Sequence, residues 1–195
     1  MRDALVETLE TERLKTLSVW SQFADGDLPW RPAPRGRTVL EQFVHQCQSE
    51  DGWFVKMLGI DIEWPVLPAV EDRHTFLAHY AVASARRVAA VASRGEPWFG
   101  ESALFFSVPK SRGWILIRRI AHTAHHRGQL TAYLRMLGRS LYSTYGPTAD
   151  TGGLPAHGAV VIYRYPSVDA LLEAEPRGGE WPALPGPGDA SPTER

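Results

Sequence analysis

From Asp3 to Ala24, apolar side chains recur at Leu5, Val6, Leu9, Leu17, Trp20 and Phe23. That spacing puts them on one face of an α-helix. "DGDLP" then interrupts the pattern, because Gly and Pro disfavour helical continuation. A second helix begins at "RTVLEQF", where Thr38 as N-cap and Glu41 three residues later form a capping box. It runs to Leu58 and stops at Gly59, carrying His45, Cys47, Trp53 and Phe54 in its interior. After the link "DIEWPVLP", an Ala- and Val-rich pattern predicts a third helix from Glu71 to Ser93, with Gly95 as its stop. "EPWFGESALFFSVPKSRG" reads as a long loop bearing aromatics, the kind of segment that often carries function. The fourth helix spans Arg112 to Leu137, with Ser111 as cap and Gly138 as stop.

Four helices of this length predict an all-α domain, an antiparallel four-helix bundle over residues 1–138. Beyond Gly138 the pattern changes to an irregular C-terminal extension, residues 139–175. It is turn-rich at first, then offers "AVVIYRYP" as a short strand and "SVDALLEAE" as a short helix. Residues 176–195 hold five Pro and four Gly. A segment of that composition buries too little apolar area to offset its ordering entropy, so it is expected to be disordered.

Composition narrows the function classes. The chain has 195 residues, 44% of them hydrophobic and 22% charged, as in an ordinary globular protein. A formal net charge of −1 with no dense Lys/Arg block gives no field that favours nucleic acid. No stretch approaches the ~20 apolar residues of a membrane span, and the charged N-terminus lacks a signal-peptide core. The one cysteine, Cys47, cannot form an internal disulfide. The expectation is a cytoplasmic protein without nucleic-acid or membrane partners.

The chemistry concentrates in "IAHTAHHRGQLTAYLRMLG", Ile120 to Gly138. Positions i and i+4 of a helix lie about 40° apart, so His122 and His126 share a face with Ile115, Leu130, Tyr133 and Leu137. That face points into the bundle. An isolated H-x-x-x-H is a weak signal, since neutral histidines also serve as ordinary buried polar groups. His45, midway along the second helix, supplies a third neutral nitrogen donor. Three histidines plus water form a common open metal site. His125 lies off the face and reads as an outer-sphere or surface residue. Gln129 can hydrogen-bond a ligand or a metal-bound water, while Arg127 faces further away. His74 and His79 read as solvated or partly buried, and Cys47 as a small buried hydrophobe. Trp98, Phe99, Phe105 and Phe106 either wall a pocket or fill the core under their loop.

"FVHQCQSEDGWF" followed by "HTAHHRGQLTAYLRMLG" resembles the DinB/YfiT-like superfamily over roughly Asp3 to Gly138, H-x-x-H-H-R-G-Q-L being the specific part. "YSTYGPTAD" is similar to the sequence that follows it in that family. The resemblance implies an up-down-down-up four-helix bundle with a long crossover. It implies one divalent metal held by His45, His122 and His126, a small-molecule substrate, and a homodimer. Members of the family include thiol S-transferases using glutathione, mycothiol or bacillithiol, and metal-dependent hydrolases or isomerases; a non-catalytic metal-bound stress or binding protein is the remaining alternative. Imidazole donors suit zinc or nickel. Thr123 stands where an H-E-x-x-H motif has its glutamate base, which leans the reading towards thiol S-transfer with a low-molecular-weight thiol as co-substrate. Glu50, Glu101 or a loop residue could still supply a base. No catalytic residue is assigned.

Overall fold

The computed structural model describes residues 1–188. The chain divides into two compact units, Met1–Leu130 and Thr131–Arg195.

The first unit is built on four long helices. Helix α1 spans Arg2–Trp20, shorter than the apolar pattern predicts. The chain tightens there into turn hydrogen bonds, Gln22 N–H to Val19 O and Phe23 N–H to Trp20 O, which still bury Phe23. Helix α2 spans Val39–Trp53 and begins with the expected capping box. Thr38 N–H donates to Glu41 Oε2 at 2.7 Å, and Glu41 N–H to Thr38 Oγ1 at 3.0 Å. It continues as a π-helical turn, Phe54–Leu58, closed by Gly59 at φ 66°. A left-handed residue ends the helix there, and glycine adopts that conformation without steric cost. Helix α3, Arg73–Ala92, starts at an Asp72 cap that accepts from Thr75 N–H at 2.7 Å.

The segment from Glu96 to Gly113 is more ordered than its sequence predicts. It forms a short helix, α4 (Glu96–Gly100), and an antiparallel hairpin of β1 (Ser102–Phe105) and β2 (Val108–Ser111) in the register Ser102↔Ser111 and Phe105↔Val108. Phe106 at its tip holds φ 53°. Helix α5, Arg112–Met136, follows at once, its first turn held by Trp114 N–H to Ser111 Oγ at 3.2 Å.

Polar contacts tie these helices pairwise. Arg13 of α1 donates to Ala81 O of α3 at 2.8 Å. Tyr80 of α3 donates to Glu50 of α2 at 2.9 Å. Arg119 of α5 donates to Ser49 of α2 at 3.0 Å. Arg127 of α5 reaches Thr16 Oγ1 of α1 at 3.1 Å and forms a buried ion pair with Glu12. One apolar cluster joins Leu5, Phe54, Leu58, Ala83, Phe99 and Ile115. Near the other end Trp20 stacks on Phe43 with ring centroids 4.2 Å apart. Among the described residues no helix is long and apolar enough to cross a membrane.

In the second unit, helix α6 (Val168–Ala174) forms where "SVDALLEAE" predicts one, capped by Ser167, which accepts from Ala170 N–H at 3.1 Å. "AVVIYRYP" is not a strand. Ser143 N–H donates to Ile162 O at 2.9 Å, but Ile162 N–H turns to the Ser143 hydroxyl at 3.0 Å, so no backbone ladder develops. The Pro/Gly segment from Pro176, expected to be disordered, carries contacts as far as it is described. The Arg164 guanidinium lies 3.6 Å over the Trp181 ring, and Tyr142 donates to Pro182 O at 2.7 Å. Residues 189–195 of that tail lie outside the described residues.

Candidate metal centre

Helices α2 and α5 bring His45, His122 and His126 together. One ring nitrogen from each lies within 4.8 Å of the others. The Nε2 atoms converge: His45 to His126 is 3.0 Å, and His126 to His122 is 3.3 Å. Two imidazole nitrogens bound tetrahedrally at 2.0–2.1 Å are ~3.3 Å apart, so the spacing fits one small cation.

His126 shows which nitrogen is free to bind. Its Nδ1–H faces two amide oxygens, Gln42 Oε1 and Gln129 Oε1, each at 3.0 Å. Gln42 Nε2 in turn donates to Gln129 Oε1 at 3.0 Å. A hydrogen bond at one imidazole nitrogen fixes the tautomer and leaves the lone pair on the other. His122 is held by packing: its ring lies 5.5 Å from Trp53, and its buried Nδ1 has no hydrogen-bond partner among the described residues.

All three rings favour the neutral, donating form. Burial pushes His122 down to about 3, helped by the Arg119 guanidinium and by the neighbouring histidines. Burial and His45 push His126 down to about 4. His45 is lowered by burial first, then by Arg37 and Arg119. A proton competes poorly for these nitrogens at neutral pH.

The cluster opens on a cleft of about 810 Å³. Trp53, Phe105 and Phe106 wall one side, with Phe105 5.1 Å from Trp53 and 4.9 Å from Phe106. Phe99 is instead buried in the core, with Trp98 packed against that core. His125 is exposed in the cleft, where its Nε2 accepts from Gln129 Nε2 at 3.2 Å.

Neither candidate carboxylate base is free. Glu50 is buried, with Oε1 on Arg87 at 3.3 Å and Oε2 on Tyr80 at 2.9 Å and Arg119 at 3.7 Å. Glu101 is paired with Arg112. Thr123 is buried and accepts from Arg119 at 3.0 Å. Cys47 is buried, and burial pushes its thiol up to about 12, as suits a small core residue. His79 is buried and accepts from Trp64 Nε1–H at 3.3 Å; His74 lies beside Arg73.

The sequence reading missed Gln42, Arg119, Arg37 and Arg118. Gln42 had a signal. It precedes His45 by three positions as Gln129 follows His126 by three, so each glutamine shares a helix face with a histidine. Nothing local marked the arginines.

The model of the DinB family matches residues 1–152. Among solved structures, a DinB-like protein from Bacillus cereus superposes with a TM-score of 0.66 at 21% identity, covering 73% of this chain and 97% of that one. A DinB-like protein from Bacillus subtilis superposes with a TM-score of 0.58 at 15% identity, covering 73% and 96%. A search of curated proteins finds no match.

Proposed function

The chain belongs to the DinB family, and from that premise we propose that it is a metal-dependent enzyme acting on a small molecule, with thiol S-transfer favoured over hydrolysis. His45, His122 and His126 would hold one divalent cation, zinc or nickel, through Nε2. The observation that carries this reading is the convergence of three Nε2 atoms while the Nδ1–H of His126 is turned away onto two amide oxygens. We read α1, α2, α3 and α5 as the four-helix bundle the resemblance implies, homodimeric in solution.

The lean towards thiol transfer rests on what surrounds the histidines. Activating water calls for a general base within hydrogen-bond reach. Glu50 and Glu101 are both engaged by arginines, and among the described residues no carboxylate lines the cleft. A bound cation would supply Lewis acidity, which favours the thiolate form of a thiol without a separate base. This chain's own part is to keep its three imidazoles neutral, to orient His126 through Gln42 and Gln129, and to offer an aromatic wall against which an electrophile can lie.

The test begins with elemental analysis of protein purified without an affinity tag. About one divalent ion per chain is expected, lost in His126→Ala and His45→Ala and kept in His125→Ala. Metal-loaded protein is then given a model electrophile with and without glutathione, mycothiol or bacillithiol. Thiol-dependent turnover that vanishes in His126→Ala supports the transferase. Turnover of an ester or amide without thiol replaces it with hydrolysis. A metal content near zero after incubation with zinc and nickel removes the reading altogether.

A further inference from the structure

The cleft in front of the histidines carries charge that no acidic residue in it answers. Arg37, just before the Thr38 cap of α2, and Arg118, one turn before His122 on α5, both line it. Both are exposed, and neither forms an ion pair or hydrogen bond among the described residues. Other arginines of this unit are engaged: Arg13 with Glu10, Arg87 with Glu50 and Asp51, Arg119 with Glu50, and Arg127 with Glu12. Glu41 and Glu71 border a shallower groove beside Arg37; Glu41 is committed to Thr38 N–H and to Arg31, and Glu71 lies outside the lining of the cleft itself. A cation among the three histidines would add to this positive field.

The rest of the lining is apolar and aromatic. Phe106 is 71% exposed at the hairpin tip. Its φ of 53° is a conformation that a bulky residue rarely adopts. Nonetheless its ring is presented 6.5 Å from Trp53 and 4.9 Å from Phe105. Unpaired guanidiniums beside an aromatic wall form a complementary surface for one kind of molecule. The planar guanidinium fork matches a carboxylate or phosphate bidentately, and the rings take up an apolar body.

We propose that Arg37 and Arg118 determine the specificity of this cleft, selecting a small substrate that carries an oxyanion on an apolar or aromatic body. This rests on the reading of the cleft as the substrate site. Because both arginines are exposed, their attraction is screened by water and salt, so each contributes a modest factor and the pair acts together.

The experiment measures binding to the metal-loaded full chain by calorimetry. The probes are phenylacetate, phenyl phosphate, the neutral phenylacetamide, and acetate. At least one aromatic oxyanion is expected to bind about tenfold more tightly than phenylacetamide and than acetate. The preference falls severalfold in Arg37→Gln or Arg118→Gln, disappears in the double variant, and weakens with added salt. Arg→Lys at either position recovers part of it. The ratio of phenylacetate to phenyl phosphate identifies the oxyanion. Circular dichroism melts establish that the variants fold.

No preference over phenylacetamide, or a preference unchanged in the double variant, overturns the proposal; so does a failure of all four probes at millimolar concentration. A carboxylate held only by the cation gives the unchanged preference and counts against it. Metal content measured on the same samples separates the two readings. Protein that takes up no metal after incubation with zinc and nickel, yet still prefers oxyanions, retires the metalloenzyme and keeps this assignment. Loaded protein without the preference does the reverse.

Discussion

Replacing Gln42 and Gln129 by leucine, singly and together, tests how the chain aims His126. Both substitutions keep roughly the side-chain volume and remove the amide. In Gln42→Leu the His126 Nδ1–H still has Gln129 Oε1 at 3.0 Å; in Gln129→Leu it keeps Gln42 Oε1 at the same distance. One proton needs one acceptor, so each single variant is expected to lose only a few-fold in metal affinity. Gln129→Leu is the costlier, because it also removes one contact of Gln42 Nε2 and the contact of His125 Nε2. In the double variant the buried Nδ1–H has no acceptor left. It must stay unpaired, at about 1–3 kcal/mol, or move its proton to Nε2 and give up the donating lone pair. Losing such support for a ligating histidine typically costs 10–100-fold in affinity, or about 1.4–2.8 kcal/mol. The assay is competition for zinc against a chromophoric chelator at neutral pH, with the four proteins forming a double-mutant cycle. The signature is non-additivity, the double loss exceeding the product of the single losses. Affinity unchanged in the double variant would mean that the amides do not set the tautomer. Strictly multiplicative losses would mean that they act separately.

Two further outcomes follow from the same geometry. Folded-state values near 3 for His122 and 4 for His126 lie below the ordinary 6.5, so the native state binds fewer protons than the unfolded chain between those limits. The metal-free protein is therefore expected to lose stability as pH falls from about 6.5 through 4 to 3; melting temperatures against pH should show a shallower slope in His122→Gln/His126→Gln, and identical slopes refute the argument. In the second unit, Trp181→Ala removes the ring that covers the buried Arg164 guanidinium at 3.6 Å. About 0.5–2 kcal/mol of local stability should go with it, read as faster hydrogen exchange at amides between 164 and 180; unchanged exchange would mean that the stacking contributes nothing.

The helices were legible because their signals are local. The Thr38/Glu41 box, the Gly59 and Gly138 stops and the 3.6-residue period each sit within a few residues of the event they cause, and α2, α3 and α5 begin within two residues of where those signals point. The hairpin was not legible, for an equally local reason. A two-residue β-turn normally advertises itself with Asn-Gly or a similar pair, whereas here Phe106 and Ser107 make the turn and Phe106 takes the left-handed conformation that glycine would supply. The contact of Trp181 is illegible for a non-local reason. Its Pro/Gly surroundings predict disorder, and the Arg164 side chain it stacks on lies far enough back in the chain that no window of composition links them.

The histidines and their supports differ in the same way. His122 and His126 could be paired from helical phase alone, and His45 could be nominated by its place in a neighbouring helix. What turns three histidines into a cluster with a defined donor atom is the pairing of Gln42 with Gln129 across α2 and α5. That contact joins positions 87 residues apart, so although Gln129 stands out beside His126 in the sequence, nothing there pairs it with Gln42. The arginines divide by the same criterion. Arg119, one turn before Thr123, is drawn inward to Ser49, Glu50 and Thr123 and adds to the burial that keeps His122 neutral, while its neighbour Arg118 lines the cleft. A step of about 100° along one helix thus separates a guanidinium that supports the donor set from one left available to a ligand. Sequence places both on α5; only the packing of α2 against it decides which is which.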